Sequence, residues 1–192
     1  MTGRHQRSFR HLAIRVALIA SVFGLAQPTV ARGDDPAIAR VRSSDASLTA
    51  LIDRAAGQSA TFQRLLASIV RSNGIVYVEV GTCTHGVRAC LQMWMKAVGP
   101  NRFLRVLIDT PKIGTDTEKM GLVGHELQHA VEALSESGVT DGVSLYNFFR
   151  RFAPTDGGRF ETMAALDAGD RVKEELRVVA EHEKGLRAVV QP

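Results

Sequence analysis

The chain has 192 residues, 45% of them hydrophobic and 23% charged, with a formal net charge of +4. The whole excess lies at the start, because residues 1–31 carry Arg4, Arg7, Arg10 and Arg15 and no acid. Residues 32–192 are formally neutral. A basic pI that belongs to a leader gives no ground for nucleic-acid or anionic-membrane binding by the rest, and about 160 residues of ordinary globular composition suit one domain with a real core.

The basic stretch Arg4 to Arg15 precedes an uncharged run, Val16 to Ala26, and then the small-residue patterns Gly24-Leu25-Ala26 and Thr29-Val30-Ala31. This is the layout of a secretory signal peptide over residues 1–31, cleaved after Ala26 or Ala31. An uncharged run of this length is well short of the roughly 20 residues that span a bilayer. The expectation is an exported protein, periplasmic or extracellular, with no stable membrane insertion once the leader is gone. Cys83 and Cys90 are the chain's two cysteines, and an exported pair is expected to oxidise to a disulfide. A metal site from Cys83, His85 and Cys90 competes with that reading but lacks a fourth ligand and the usual cysteine spacing.

Residues 32–44, with Gly33, Asp34, Asp35 and Pro36, read as a linker, and 45–192 as a single domain. Asp45 opens a helical pattern to about Ala56, and Ser59 caps a second helix with Phe62, Leu65, Leu66 and Ile69 on one face, stopped by Asn73-Gly74. The period then changes. Ile75–Val80 is β-rich, Leu91, Met93 and Met95 alternate with polar or larger neighbours, and Gly99-Pro100-Asn101 turns the chain into Phe103–Ile108. These segments predict a small, mostly antiparallel sheet of about three strands, with Met93, Trp94 and Met95 in the packing and the cysteine loop at one connection.

Thr115 followed by Glu118 has capping-box spacing and opens a helix to about Ser137, with Met120, Val123, Leu127, Ala130 and Leu134 as its core stripe. A short helix over Ser144–Phe152 and a long one from about Phe160 to Lys184 complete an α+β layout.

Residues 124–132 read Gly-His-Glu-Leu-Gln-His-Ala-Val-Glu. His125 and His129 stand one turn apart on one helical face, the spacing at which two imidazoles reach one zinc ion, and Glu126 between them can meet an attacking water. A solvated polar face made by Glu118, His125, His129, Glu132 and Glu136 is the plainer alternative.

With this motif the chain resembles the zincin metallopeptidases, and the later Arg159-Phe160-Glu161-Thr162 segment makes it similar to their gluzincin branch and to short exported bacterial zincins. A metzincin is excluded, because Glu132 and Ser135 stand where that group has Gly and a third His. The resemblance implies a zinc-dependent peptidase acting on a peptide or protein, with Zn2+ on His125, His129 and Glu161 and Glu126 as general base. It also implies an oxyanion stabiliser, for which Tyr146, Arg159 and His182 qualify by type. The acid that gluzincins of the thermolysin kind often place one turn after the third ligand is replaced by Ala165.

The residues themselves bear on Glu161 as well. At helical spacing it heads the apolar series Ala165, Ala168, Val172, Leu176 and Val179, where a carboxylate is costly unless a cation meets it. Glu132, one turn beyond His129, is the competing ligand. For function, the competing classes are an exported binding module with a structural or inactive zinc site and a zinc hydrolase of a non-peptide amide or ester.

Overall fold

In the computed structural model, residues 40–152, 155–156 and 159–190 are described, with 155, 156, 159 and 188–190 described by backbone alone. The segment read as a leader and most of that read as a linker lie outside them. No helix among the described residues is long and apolar enough to cross a membrane.

Short polar side chains set the helix starts. The Asp45 carboxylate accepts from the Leu48 amide at 2.9 Å and caps α1 (Ala46–Gln58). Ser59 then ends α1 and caps α2 (Ala60–Arg71), its hydroxyl accepting from the Phe62 amide at 3.0 Å. Each such bond satisfies a donor that the first helical turn leaves unpaired. The apolar stripe of α2, Phe62, Leu65, Leu66 and Ile69, is buried as its spacing demands.

The sheet corrects the sequence-based expectation. It has four strands in the order β1 (Val41–Arg42), β2 (Gly74–Val80), β4 (Asn101–Ile108), β3 (Ala89–Val98), and it is mixed. β1 and β4 run parallel to β2, and only β3 and β4 are antiparallel. The cause lies in burial. β4 buries Leu104, Val106, Leu107 and Ile108, which places it in the interior of the sheet. β3 leaves Met93 and Trp94 38% and 42% exposed and buries Met95, which suits an edge. The cysteine loop therefore carries the chain past β4 instead of closing a hairpin, whereas Gly99, at φ +56°, makes the tight turn between β3 and β4. β1 falls within the stretch read as linker; its Val41 is fully enclosed by the core.

The outward edge of β3 is covered at two points. The Leu91 amide donates to a Glu126 side-chain oxygen at 2.6 Å, the Ala97 amide donates to the Thr140 carbonyl at 3.2 Å, and Lys96 bridges to Asp141.

Thr115 caps α3 (Asp116–Ser135), accepting from the Glu118 amide at 3.2 Å, and Met120, Val123, Leu127, Ala130 and Leu134 are buried along it. The other end of α3 is held by the buried Arg102 of β4, whose guanidinium donates to the carbonyls of Leu134, Glu136 and Val139 at 2.6, 2.7 and 3.0 Å. A cation among the last carbonyls of a helix satisfies acceptors that the helix itself leaves unpaired. α4 (Gly142–Phe152) follows, then a two-residue hairpin of β5 (Thr155–Asp156) and β6 (Arg159–Phe160), then α5 (Met163–Val190).

α5 begins three residues later than the periodicity suggests, because Thr162 caps it: its hydroxyl accepts from the Ala165 amide at 3.1 Å. Glu161 thus precedes the helix. Where α3 and α5 cross, a side chain on Gly169 would stand 3.1 Å from the Gly121 carbonyl and from His125 Cβ, so the glycine allows close approach beside the His125 ring.

α5 is also tied to α2. Glu175 accepts from the Ser59 hydroxyl at 2.5 Å, the Thr61 amide at 2.9 Å and the Thr61 hydroxyl at 2.7 Å. Burial opposes its charge, but these bonds outweigh burial and hold its pKa below 4.5. A depressed carboxylate stabilises the fold above its unfolded pKa and loses that contribution as pH falls through the folded value. Glu175→Gln should cost about 2 kcal/mol at neutral pH, as expected for bonds to a charged group, with the deficit shrinking below about pH 4.5 in denaturant titrations.

Candidate metal centre

Two turns of α3 and the segment entering α5 bring three ligand-type side chains together. One ligand atom each from His125, His129 and Glu161 lie within 4.8 Å of one another. His125 Nε2 is 3.4 Å from Glu161 Oε2, and the His125 and His129 rings meet edge-on with centroids 4.9 Å apart. This is not a solvated helix face: Glu126 and His129 are 5% and 4% exposed, and His125 is partly covered by α5.

Each imidazole has a partner outside the three-residue cluster. His129 Nδ1 lies 3.1 Å from Glu132 Oε2, and the Ala165 backbone is a hydrogen-bond partner for His125. Glu132 is therefore spent as an orienting carboxylate. Its other oxygen, Oε1, accepts from Thr162 Oγ1 at 2.8 Å and from Gln128 Nε2 at 3.3 Å. The sequence raised Glu132 only as a rival ligand, and the partner of its second oxygen, 30 residues away, left no local signal. The absent Asp at position 165 is answered by Ala165's own backbone.

The environment sets the charges. Burial and the neighbouring His129 push the His125 pKa down to about 4, so its imidazole is neutral at physiological pH. Burial works against charge on His129 too, but the Glu132 bond and the carboxylates of Glu126, Glu132 and Glu161 raise its pKa. Glu132 is held below 4.5 by His129, Thr162 and Gln128 despite its burial. Glu126 is pushed up to about 7 by burial, with Glu161 adding to the rise while His129 and the Leu91 amide oppose it. A carboxyl poised near neutrality is what general-base work needs.

The donor set can be tested for a metal. Glu161 Oε2 is buried and makes no hydrogen bond among the described residues. A buried carboxylate oxygen without a partner is costly, and here it faces the nitrogen of a neutral ring. A cation relieves both atoms. Two imidazoles and one carboxylate form the N,N,O set of three-ligand zinc sites that keep a position open.

A cleft of about 910 Å³ gives access to the cluster. His125, Glu126, His129 and Glu161 line it, together with the cysteine loop, the β3 segment Ala89–Met93 and the α5 residues Gly169 and Asp170. The Cys83 and Cys90 sulfurs stand at bonding distance, 2.10 Å, which removes both from any site with His85. His85 instead lies in the cleft wall at φ +58°, in the left-handed region. Of the residues suggested as oxyanion stabilisers, Tyr146 lines the cleft, half-exposed and edge-on to Phe160 at 5.3 Å. His182 is exposed on the later part of α5, outside that lining, and the Arg159 side chain lies outside the described residues.

No protein-family model, curated protein or solved structure matches the chain.

Proposed function

We propose that the chain is an exported, zinc-dependent metallopeptidase of the gluzincin type. The observation that carries this reading is the convergence of His125, His129 and a buried Glu161 oxygen that takes no hydrogen bond among the described residues, beside a buried Glu126 in an open cleft. His125 and His129 would hold the ion through Nε2 and Glu161 through its carboxylate. Zinc, when bound, polarises a scissile carbonyl and lowers the pKa of water toward about 7.

The chain's own residues supply the rest. Glu126 takes a proton from the attacking water and delivers it to the leaving amine, one of its oxygens being anchored by the Leu91 amide so that the carboxyl stays aimed into the cleft. Glu132 and the Ala165 backbone keep the two rings in place. Tyr146 is the donor proposed for the developing oxyanion. Tyr146→Phe should lower kcat by about 100-fold with little change in KM, the usual scale for one such donor.

The deciding experiment is metal analysis of protein purified without chelator or nickel resin, paired with cleavage of an unbiased peptide library. Near-stoichiometric zinc and cleavage that a chelator abolishes support the reading. Zinc without turnover of any peptide would favour a binding module or a hydrolase of another amide or ester. Export belongs to the same proposal, and the paired cysteines agree with an oxidising compartment. Protein recovered from a secreting host should have lost residues 1–26 or 1–31 by intact mass, and full-length protein fixed in the membrane would contradict this.

A further inference from the structure

The start of α5 is linked to each candidate ligand: Glu161 precedes it in the chain, the Ala165 backbone meets His125, and Thr162 reaches His129 through Glu132. Thr162 Oγ1 lies 3.1 Å from the Ala165 amide and 2.8 Å from Glu132 Oε1. A hydroxyl has one proton, and a carboxylate anion can only accept. The proton therefore goes to Glu132, and the lone pair receives the Ala165 N–H.

The consequence runs on through Glu132 to His129. With Oε1 fixed by Thr162 and Gln128, Oε2 accepts from His129 Nδ1 at 3.1 Å. In the neutral ring that assigns the proton to Nδ1 and leaves Nε2 with a bare electron pair. Glu161 is the residue before Thr162, so the cap that starts α5 also fixes where the Glu161 backbone lies. Ala165, whose amide Thr162 binds, presents its backbone to His125.

We propose, resting on the zinc reading, that Thr162 is a positioning residue of the metal centre: its single hydroxyl sets the tautomer of His129 through Glu132 while anchoring the segment that carries Glu161. An ordinary helix cap explains only the Ala165 bond. The second bond, to a half-buried carboxylate on another helix, has no part in starting α5.

The test compares the wild type with Thr162→Val, which keeps shape and loses the hydroxyl, and Thr162→Ser, which keeps the hydroxyl. Zinc affinity is read by competition with a fluorescent chelator. Thr162→Val should bind about 10–100-fold more weakly, the scale of outer-shell partners, and Thr162→Ser should stay close to wild type. The His129 tautomer is read by nitrogen-resolved NMR of the metal-free protein at alkaline pH, where the ring is neutral. The wild type and Thr162→Ser should carry the proton on Nδ1, and Thr162→Val should show a mixture.

Zinc uptake by the wild type with unchanged affinity in Thr162→Val would overturn the proposal alone and reduce Thr162 to a cap. A His129 proton on Nε2 in the wild type would overturn it even if Thr162→Val fails to fold. Absence of zinc uptake by the wild type would remove the metal reading and the proposal together.

Discussion

Glu126→Gln should fold, take up zinc as the wild type does and lose at least about a hundredfold in turnover, the scale of general-base loss. The substitution keeps the shape and an oxygen for the Leu91 amide, so the 2.6 Å anchor to β3 has a replacement. What it removes is the group that accepts a proton. The buried carboxyl sits near pKa 7 in the metal-free protein, so exchanging it for a neutral amide also takes away a charge that burial disfavours. Metal-free Glu126→Gln should therefore melt no lower than the wild type. Full turnover in a contaminant-free preparation would exclude Glu126 as the base.

Glu161→Ala should abolish tight zinc binding, with a loss well beyond the 10–100-fold expected of Glu132→Ala. The two carboxylates are chemically alike and differ in what they touch. Both oxygens of Glu132 are engaged, by His129, Thr162 and Gln128, whereas Glu161 Oε2 is buried with no hydrogen bond among the described residues. Removing Glu161 from the metal-free protein deletes a cost, so its melting temperature should hold or rise while zinc affinity collapses. A greater affinity loss in Glu132→Ala than in Glu161→Ala would transfer the ligand role and defeat the gluzincin assignment.

The helices were legible because their signals are local. Ser59 and Thr115 each cap the helix they were read to cap, Asp45 caps the one it was read to open, and the stripes of α2 and α3 are buried. The long last helix was legible in kind but was read to start too early, because Glu161 falls on the helical spacing of the apolar series while Thr162 turns its hydroxyl to the Ala165 amide. Strand positions were close, yet pairing was misread. A loop between two apolar runs looks the same whether the second strand lies beside the first or beyond a third, and burial on both faces of β4 decides it. β1 is two residues long and pairs with a strand more than thirty residues later, too little for a periodicity argument. At the site, the motif gave the residues on α3. Glu175 and the outer partners of Glu132 escaped notice because a lone acid on a charged helix has no pattern until its distant donors are known.

The covering of β3 has a further consequence, for how one copy of the chain meets another. A sheet edge with bare amides and carbonyls is a template for a strand from a second molecule, and such pairing propagates into aggregates. Along β3 the outward edge is taken at two points, by the Glu126 carboxylate at Leu91 and by the Thr140–Asp141 backbone at Lys96 and Ala97. The shift in pairing register between Leu91 and Met95 breaks the straight run between those points. The bond that holds Glu126 in the cleft wall thus also blunts the strand against self-recognition, so a change that frees the Leu91 amide should lower solubility.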